Sequence, residues 1–289
     1  MTERQRGARW LALLLGGVVA LVVLLILVQP RPAPKPKVAA IPPNAPVFED
    51  FSQVPTAPTP PVPAPSPTTG LALIVDDIGY DRRALERLLA LHIPLAISVL
   101  PDAPLAGESA RRAHRAGQLV MLHLPMQPDN PYLAAHMSPA FLRVGMAREE
   151  VRKVFEQDLA RVPFAVGVNN HMGSRLTRER PLMQWVMELC REHGLFFVDS
   201  RTHKDSVAAQ VAREAGIVWG SRRLFLDHRT DPDSLRRAWQ RALACAEHAR
   251  CILIAHPHPE TVRFLETVVQ ASSQLPTFLS LDRALHPAS

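Results

Sequence analysis

The sequence predicts an α/β fold: a parallel sheet of about seven or eight strands with helices outside it, arranged as a compact (β/α) barrel, complete or incomplete. Three observations carry this. From Gly70 onward, short apolar runs alternate with longer helix-like stretches, the pattern of strands feeding helices. The first apolar run, Leu71-Ala-Leu-Ile-Val75, lacks the polar alternation of a half-exposed strand, so both of its faces are covered. Charged or imidazole side chains stand where such runs end, which is where barrels and open α/β sheets keep their sites. An open doubly wound sheet is the second reading. No glycine-rich phosphate loop follows the first strand, which removes support for nucleotide binding.

The elements follow in order. Leu71–Asp77 reads as a strand and Arg82–Leu91 as a helix; Leu95–Leu100 is a strand stopped by Pro101-Asp102. Leu105–Ala116 is helical, with Gly117 as its stop. Leu119–Leu124 is a strand, and Pro128 to Gly145 is a longer loop. Helix Ala147–Arg161 leads to strand Ala165–Val168 and the run Asn169-Asn-His-Met-Gly-Ser-Arg175. Helix Arg180–His193 leads to strand Leu195–Val198, then Asp199-Ser-Arg-Thr202. Helix Ser206–Ala215 precedes two short strands, Ile217–Trp219 and Leu224–Leu226. Helix Asp233–Ala249, strand Cys251–Ala255, helix Thr261–Ala271 and a last strand, Thr277–Leu281, complete the domain, placed at residues 70–286.

Before Gly70 the composition changes. Residues 1–9 form a basic tail. Residues 10–28 are apolar or glycine throughout, long enough at 1.5 Å per residue to cross roughly 28 Å of hydrocarbon. They read as a transmembrane signal anchor, with the arginines cytoplasmic and the remainder in the periplasm. That gives a single-pass inner-membrane protein with the membrane as one partner; the alternative is a periplasmic protein after signal-peptide cleavage. Residues 29–69 are a linker, with 14 of the 28 prolines between Pro30 and Pro67 and no glycine. The net charge of +6 is concentrated at the N-terminus, where residues 1–37 hold six basic residues and one acid. No aromatic-interleaved basic patch is present, so nucleic acid is not an expected partner. Cys245 and Cys251 are the nearest pair for a disulfide, which export permits; Cys190 sits on an apolar helix face and reads as core.

The chemistry is written at the strand ends. Asp76 and Asp77 end the first strand, and two charges cannot enter a core without a partner or a metal. His123, His171, Asp199 with Arg201, and His256 with His258 end later strands. In a barrel these converge on one face. Asp with two His and an open position is a donor set for a catalytic divalent metal, zinc being the expected ion. Such a metal lowers the pKa of bound water, a carboxylate takes the proton, and a histidine of near-neutral pKa returns one to the leaving group.

On these residues the chain resembles the polysaccharide deacetylases related to NodB-type carbohydrate esterases, over roughly residues 70–286, and looks like a divergent member. The resemblance implies a distorted NodB-like (β/α) barrel. It implies that Asp76 is the general base and Asp77 a metal ligand. The family's His-x-x-x-His-Pro motif is matched by His123 but has Gln127 before Pro128, in place of its second His. His171 is the candidate replacement ligand. The family's Leu-x-His ending is approximated by Ile254-Ala-His256, which makes His256 the acid; His258 is an alternative for that role or a substrate contact. Ser174, Arg175, Asp199 and Arg201 are the other expected substrate contacts. The expected activity is deacetylation of an N- or O-acetylated cell-envelope polysaccharide. Gln127 motivates a second expectation: a catalytically inactive deacetylase-fold envelope protein that binds glycan or a partner protein. A metal phosphoesterase is a third, weakened by too few carboxylates.

Overall fold

The computed structural model describes residues 69–271 and 275–288. Strand β1 is Gly70–Ile78, β2 Leu95–Val99, β3 Leu119–Met126, β4 Ala165–Met172 and β5 Phe196–Asp199. Strands β6 Trp219–Ser221, β7 Leu224–Phe225 and β8 Arg250–Ala255 follow. The helices are α1 Arg82–Leu89, α2 Ala106–Arg115, α3 Pro131–Ala134, α4 Arg148–Arg161 and α5 Arg180–Glu192. Then come α6 Ala208–Glu214, α7 Pro232–His248, α8 Pro259–Ala271 and α9 Leu281–Ala284. Side chains set the helix starts: Asp81 accepts from the backbone of Arg83 and Ala84, and Asp231 caps α7 ahead of Pro232.

All strand pairings are parallel, in the order β6-β5-β4-β3-β2-β1-β8-β7. Among the described residues the sheet has eight strands, in keeping with the expectation of about seven or eight; β6 pairs with β5 and is bridged on its other side by His286 to Trp219, and β7 pairs with β8 alone. Only Arg222 and Arg223 separate those two strands, and parallel neighbours need a crossover of about a dozen residues. The linker instead straddles the gap. Arg222 donates its backbone N–H to Asp199 O on β5, and Arg223 donates to Ile252 O on β8. A connection this short brings the edges within about 11 Å along the chain, so the sheet curls without closing. The expected last strand, Thr277–Leu281, is reduced to one bridge between Leu71 and Phe278, and Leu281 opens α9 instead.

The expected transmembrane anchor, and the inner-membrane location and membrane contact drawn from it, gain no support from the described residues. Among the described residues no helix is long and apolar enough to cross a membrane. Segment 10–28 and the linker up to residue 68 lie outside the described residues.

The period of two along each strand sorts the side chains. Leu71, Leu73 and Val75 of β1, Leu122 and Leu124 of β3, and Leu253 and Ala255 of β8 join the large core under the helices. Ala72, Ile74, Met121, Val198, Phe225, Ile252 and Ile254 form a second cluster on the concave face, closed off by Leu279, Leu281, Ala284 and Leu285. Continuing the inner row places Asp76, Ser98, His123, Asn169, His171, Ser200, Asp227 and His256 on the concave side, near the carboxyl ends of the strands. Asp77 belongs by parity to the outer row. A register shift between Val75 and Ile78 and a left-handed backbone at Asp77 (φ 55°) turn it to the same mouth. Cys245 and Cys251 are bonded, tying the end of α7 to β8, and Cys190 is free and buried.

Candidate metal centre

Asp77, His123 and His171 meet at the mouth of the curled sheet. Asp77 Oδ1 lies 3.1 Å from His123 Nε2 and 2.8 Å from His171 Nδ1. The two imidazole nitrogens are 3.2 Å apart. Exposure is 1% for Asp77, 2% for His123 and 6% for His171, so water does not solvate these groups. Neither Asp77 oxygen receives a hydrogen bond from backbone or hydroxyl; only the two imidazoles face it. A buried carboxylate left this way calls for a cation. The donor set, one carboxylate and two imidazoles, is that of zinc and similar divalent ions, with room for a further ligand. The residues therefore fit a metal.

Asn169 organises the groups behind the tripod. Its Oδ1 accepts from Ser98 Oγ at 2.5 Å and from His123 Nδ1 at 3.0 Å. Its Nδ2 donates to Asp76 Oδ1 at 2.8 Å and to Ser200 Oγ at 3.2 Å. A carboxylate only accepts, so Asp76 fixes which end of the amide faces it. The amide oxygen only accepts as well, so neutral His123 carries its proton on Nδ1 and leaves Nε2 free to ligate.

The electrostatics separate the two adjacent carboxyls. Burial raises the Asp76 pKa, and His123 and His256 offset this only in part. Burial also acts on Asp77, but His171 and His123 outweigh it and hold that carboxyl well below the ordinary carboxylate range. Across the cavity, His256 Nδ1 lies 2.9 Å from Asp227 Oδ1, while Asp227 Oδ2 accepts from His256 N and Thr261 Oγ1. Burial opposes a charge on His256, yet Asp227 outweighs it and the pKa is raised to about 9. Asp227, His256 and His258 form a second group able to hold a metal, their ligand atoms within 4.8 Å of one another.

Of the residues expected from sequence, Asp76, Asp77, His123, His171 and His256 line one cavity. The others do not line it. Asp199 is fully buried and caps its own loop, accepting from Arg201 N at 2.7 Å and Ser206 Oγ at 2.9 Å. Ser174 Oγ accepts from Asp129 N, and Arg175 pairs with Glu179 on the surface. Arg201 has a left-handed backbone (φ 49°), and His258 stands behind His256 with ring centroids 6.0 Å apart. Gln127 is not a ligand: its Oε1 accepts from Val144 N at 2.8 Å and pins the loop after β3.

Sequence reasoning missed Asn169, Ser98, Asp227 and Arg222. Asp227 carried a readable signal, an acid directly after a short strand. Arg222 carried none. It is buried, donating from Nε to Ser200 O at 2.6 Å and from Nη2 to Arg201 O at 2.9 Å, with its guanidinium 3.8 Å over Phe225. Burial pushes its pKa down to about 9.

Comparison with known proteins places the chain in a family. The family model described as divergent polysaccharide deacetylase matches residues 73–277. The chain is 35% identical over 215 residues to the uncharacterized protein YibQ of Escherichia coli K12, covering 74% of this chain and 66% of that protein. An uncharacterized protein of Haemophilus influenzae is 33% identical over 197 residues, covering 68% of this chain and 69% of that one. A crystal structure of an uncharacterized protein from Agrobacterium tumefaciens C58 shares the fold, with a TM-score of 0.65 at 18% identity over 76% of this chain and 87% of that one. With the paired aspartates, the strand-end histidines and a match across nearly the whole described domain, this chain belongs to the divergent polysaccharide deacetylase family, related to the NodB-type carbohydrate esterases.

Proposed function

We propose that this chain is a metal-holding, deacetylase-fold protein that recognises a cell-envelope glycan or a partner protein without turning it over. The supporting observation is how little space is left beside the tripod. The cavity between Asp76, Asp77, His123, His171 and His256 has a volume of about 10 Å³. That is space for about one water or ion at the tripod itself. Phe141 packs beside His171, ring centroids 6.0 Å apart, and Gln127, where the family motif has its second histidine, holds Val144 N in place of a metal. Asp77, His123 and His171 would hold the ion, with Asn169 orienting His123 from behind. When bound, a divalent ion supplies the positive charge that the Asp77 carboxylate lacks and an acidic open coordination position.

A second reading, metal-dependent hydrolysis of an N- or O-acetyl group, is favoured by one specific observation. Asp76 and the Asp227–His256 pair face the tripod from two sides, the arrangement a base and an acid need. Asp76, partly relieved of its charge by burial, would take a proton, and His256 would return one to the leaving group.

The experiment is acetate release from acetylated chitohexaose and from peptidoglycan by the zinc-loaded protein, beside a binding titration with the same glycans. The proposal expects saturable binding and no acetate above the protein-free control. Acetate release that disappears in Asp76→Asn overturns it in favour of the hydrolase.

A further inference from the structure

A second cavity adjoins the metal centre. It is an open groove of about 530 Å³ between the carboxyl end of β7 and the outer face of α7. Arg229, Arg237 and Arg241 line it, with His228, over a floor that includes Phe225 and Leu226. Phe225 also lines the metal cavity, so the two spaces share a wall. Leu226 and His228 flank Asp227, the partner of His256, so the groove runs directly up to that pair.

The charge in the groove is uneven. Arg229 is met by Asp231, at 3.2 Å. Among the described residues neither Arg237 nor Arg241 has a carboxylate within salt-bridge distance; Arg237 donates only to Ser234 Oγ, at 3.0 Å. Both side chains are exposed on one face of α7, one turn apart. Two guanidiniums with no carboxylate partner, one turn apart beside an open groove, suit a ligand carrying spaced anions.

We infer that this groove is a binding site for an acidic glycan strand, one bearing carboxylates or phosphates along its length, which it leads toward the metal centre. The inference rests on the glycan-binding reading above and narrows it to the anionic class. Guanidiniums form paired hydrogen bonds to carboxylate and phosphate alike, so the groove chemistry accepts both, and neutral chitin-type strands gain nothing from it.

The test uses the full chain loaded with zinc. Binding of a carboxylated hexasaccharide, a phosphate-bearing oligosaccharide and neutral chitohexaose is measured by calorimetry at low and moderate salt. The expectation is at least tenfold tighter binding of an anionic strand than of the neutral one, weakening as salt rises. The R237E/R241E double variant is expected to lose that tenfold advantage with its zinc content and thermal melting unchanged. Equal affinity for neutral and acidic strands overturns the inference and leaves the glycan reading standing. Acidic-strand binding that survives in R237E/R241E overturns the groove assignment. Failure of all three strands to bind the zinc-loaded chain removes the glycan reading together with the inference.

Discussion

Asn169→Ala separates a metal site with a built support from three ligands that merely happen to meet. The substitution removes four hydrogen bonds, to Ser98, His123, Asp76 and Ser200. All of these groups are buried. Neutral His123 is then free to move its proton to Nε2, which blocks ligation. Loss of a partner behind a metal-binding histidine costs about 10- to 100-fold in affinity. That corresponds to roughly 1.4–2.8 kcal/mol. Each buried group left unpaired costs about 1–3 kcal/mol of stability as well, so the metal-free melting temperature falls too. Two readouts distinguish these effects. Zinc affinity is measured by chelator competition, and the His123 tautomer by nitrogen-15 shifts in metal-free protein. The wild type is expected to hold the proton on Nδ1. Asn169→Asp keeps an acceptor for His123 and is expected to preserve that tautomer, while placing a second negative charge beside Asp76. A change in zinc affinity below about threefold in Asn169→Ala, with the protein folded, would refute the reasoning.

Two further predictions concern titration. Asp158 on α4 is 1% exposed, one of its oxygens lacks a partner, and burial pushes its pKa to about 8 against the pull of the exposed Arg161. A carboxyl raised above its unfolded value stabilises fully below the unfolded pKa, and this is lost as pH climbs through about 8. The ceiling between pH 4 and 7 is about 4 kcal/mol, and on the order of 2 kcal/mol is expected after relaxation. Denaturant melts should show that Asp158→Asn gains on wild type as pH rises from 4 to 8; parallel pH slopes would place an ionised Asp158 in the folded state. His256, held near 9 by Asp227, stabilises at low pH and loses this as pH rises through 9. In metal-free Asp227→Asn, burial acts with less opposition, and the imidazole titration followed by NMR is expected to fall to about 7 or lower. A titration still near 9 would assign the shift to Asp76 and Asp77.

What was legible in the sequence follows the strand rows. The run Leu71–Val75 is apolar without alternation and ends abruptly in Asp76-Asp77, so the break itself marks the mouth. His123 and His256 extend the inner rows of Met121 and Ile254 by two residues each, an offset visible without coordinates. His171 is legible for the same reason, two residues past the inner Asn169. Asn169 was not, because a neutral amide in a buried strand breaks no pattern until its four partners are known. Ser174, Arg175, Asp199 and Arg201 followed strand ends and were grouped with the site, but loop residues obey no period of two, and their contacts turn them elsewhere. The edges β6 and β7, three and two residues long, are held by the backbone bonds of Arg222 and Arg223 to β5 and β8. Both short strands are legible as apolar runs, but those long-range contacts have no local signature, so their partners in the sheet are not.

The most direct measurement is a zinc titration of the metal-free full chain and of Asp77→Ala, read by calorimetry and by metal analysis of the dialysed protein. The wild type is predicted to retain zinc with micromolar or tighter affinity, and Asp77→Ala to lose at least about a hundredfold. Zinc binding that is absent in the wild type, or unchanged without Asp77, would contradict the account.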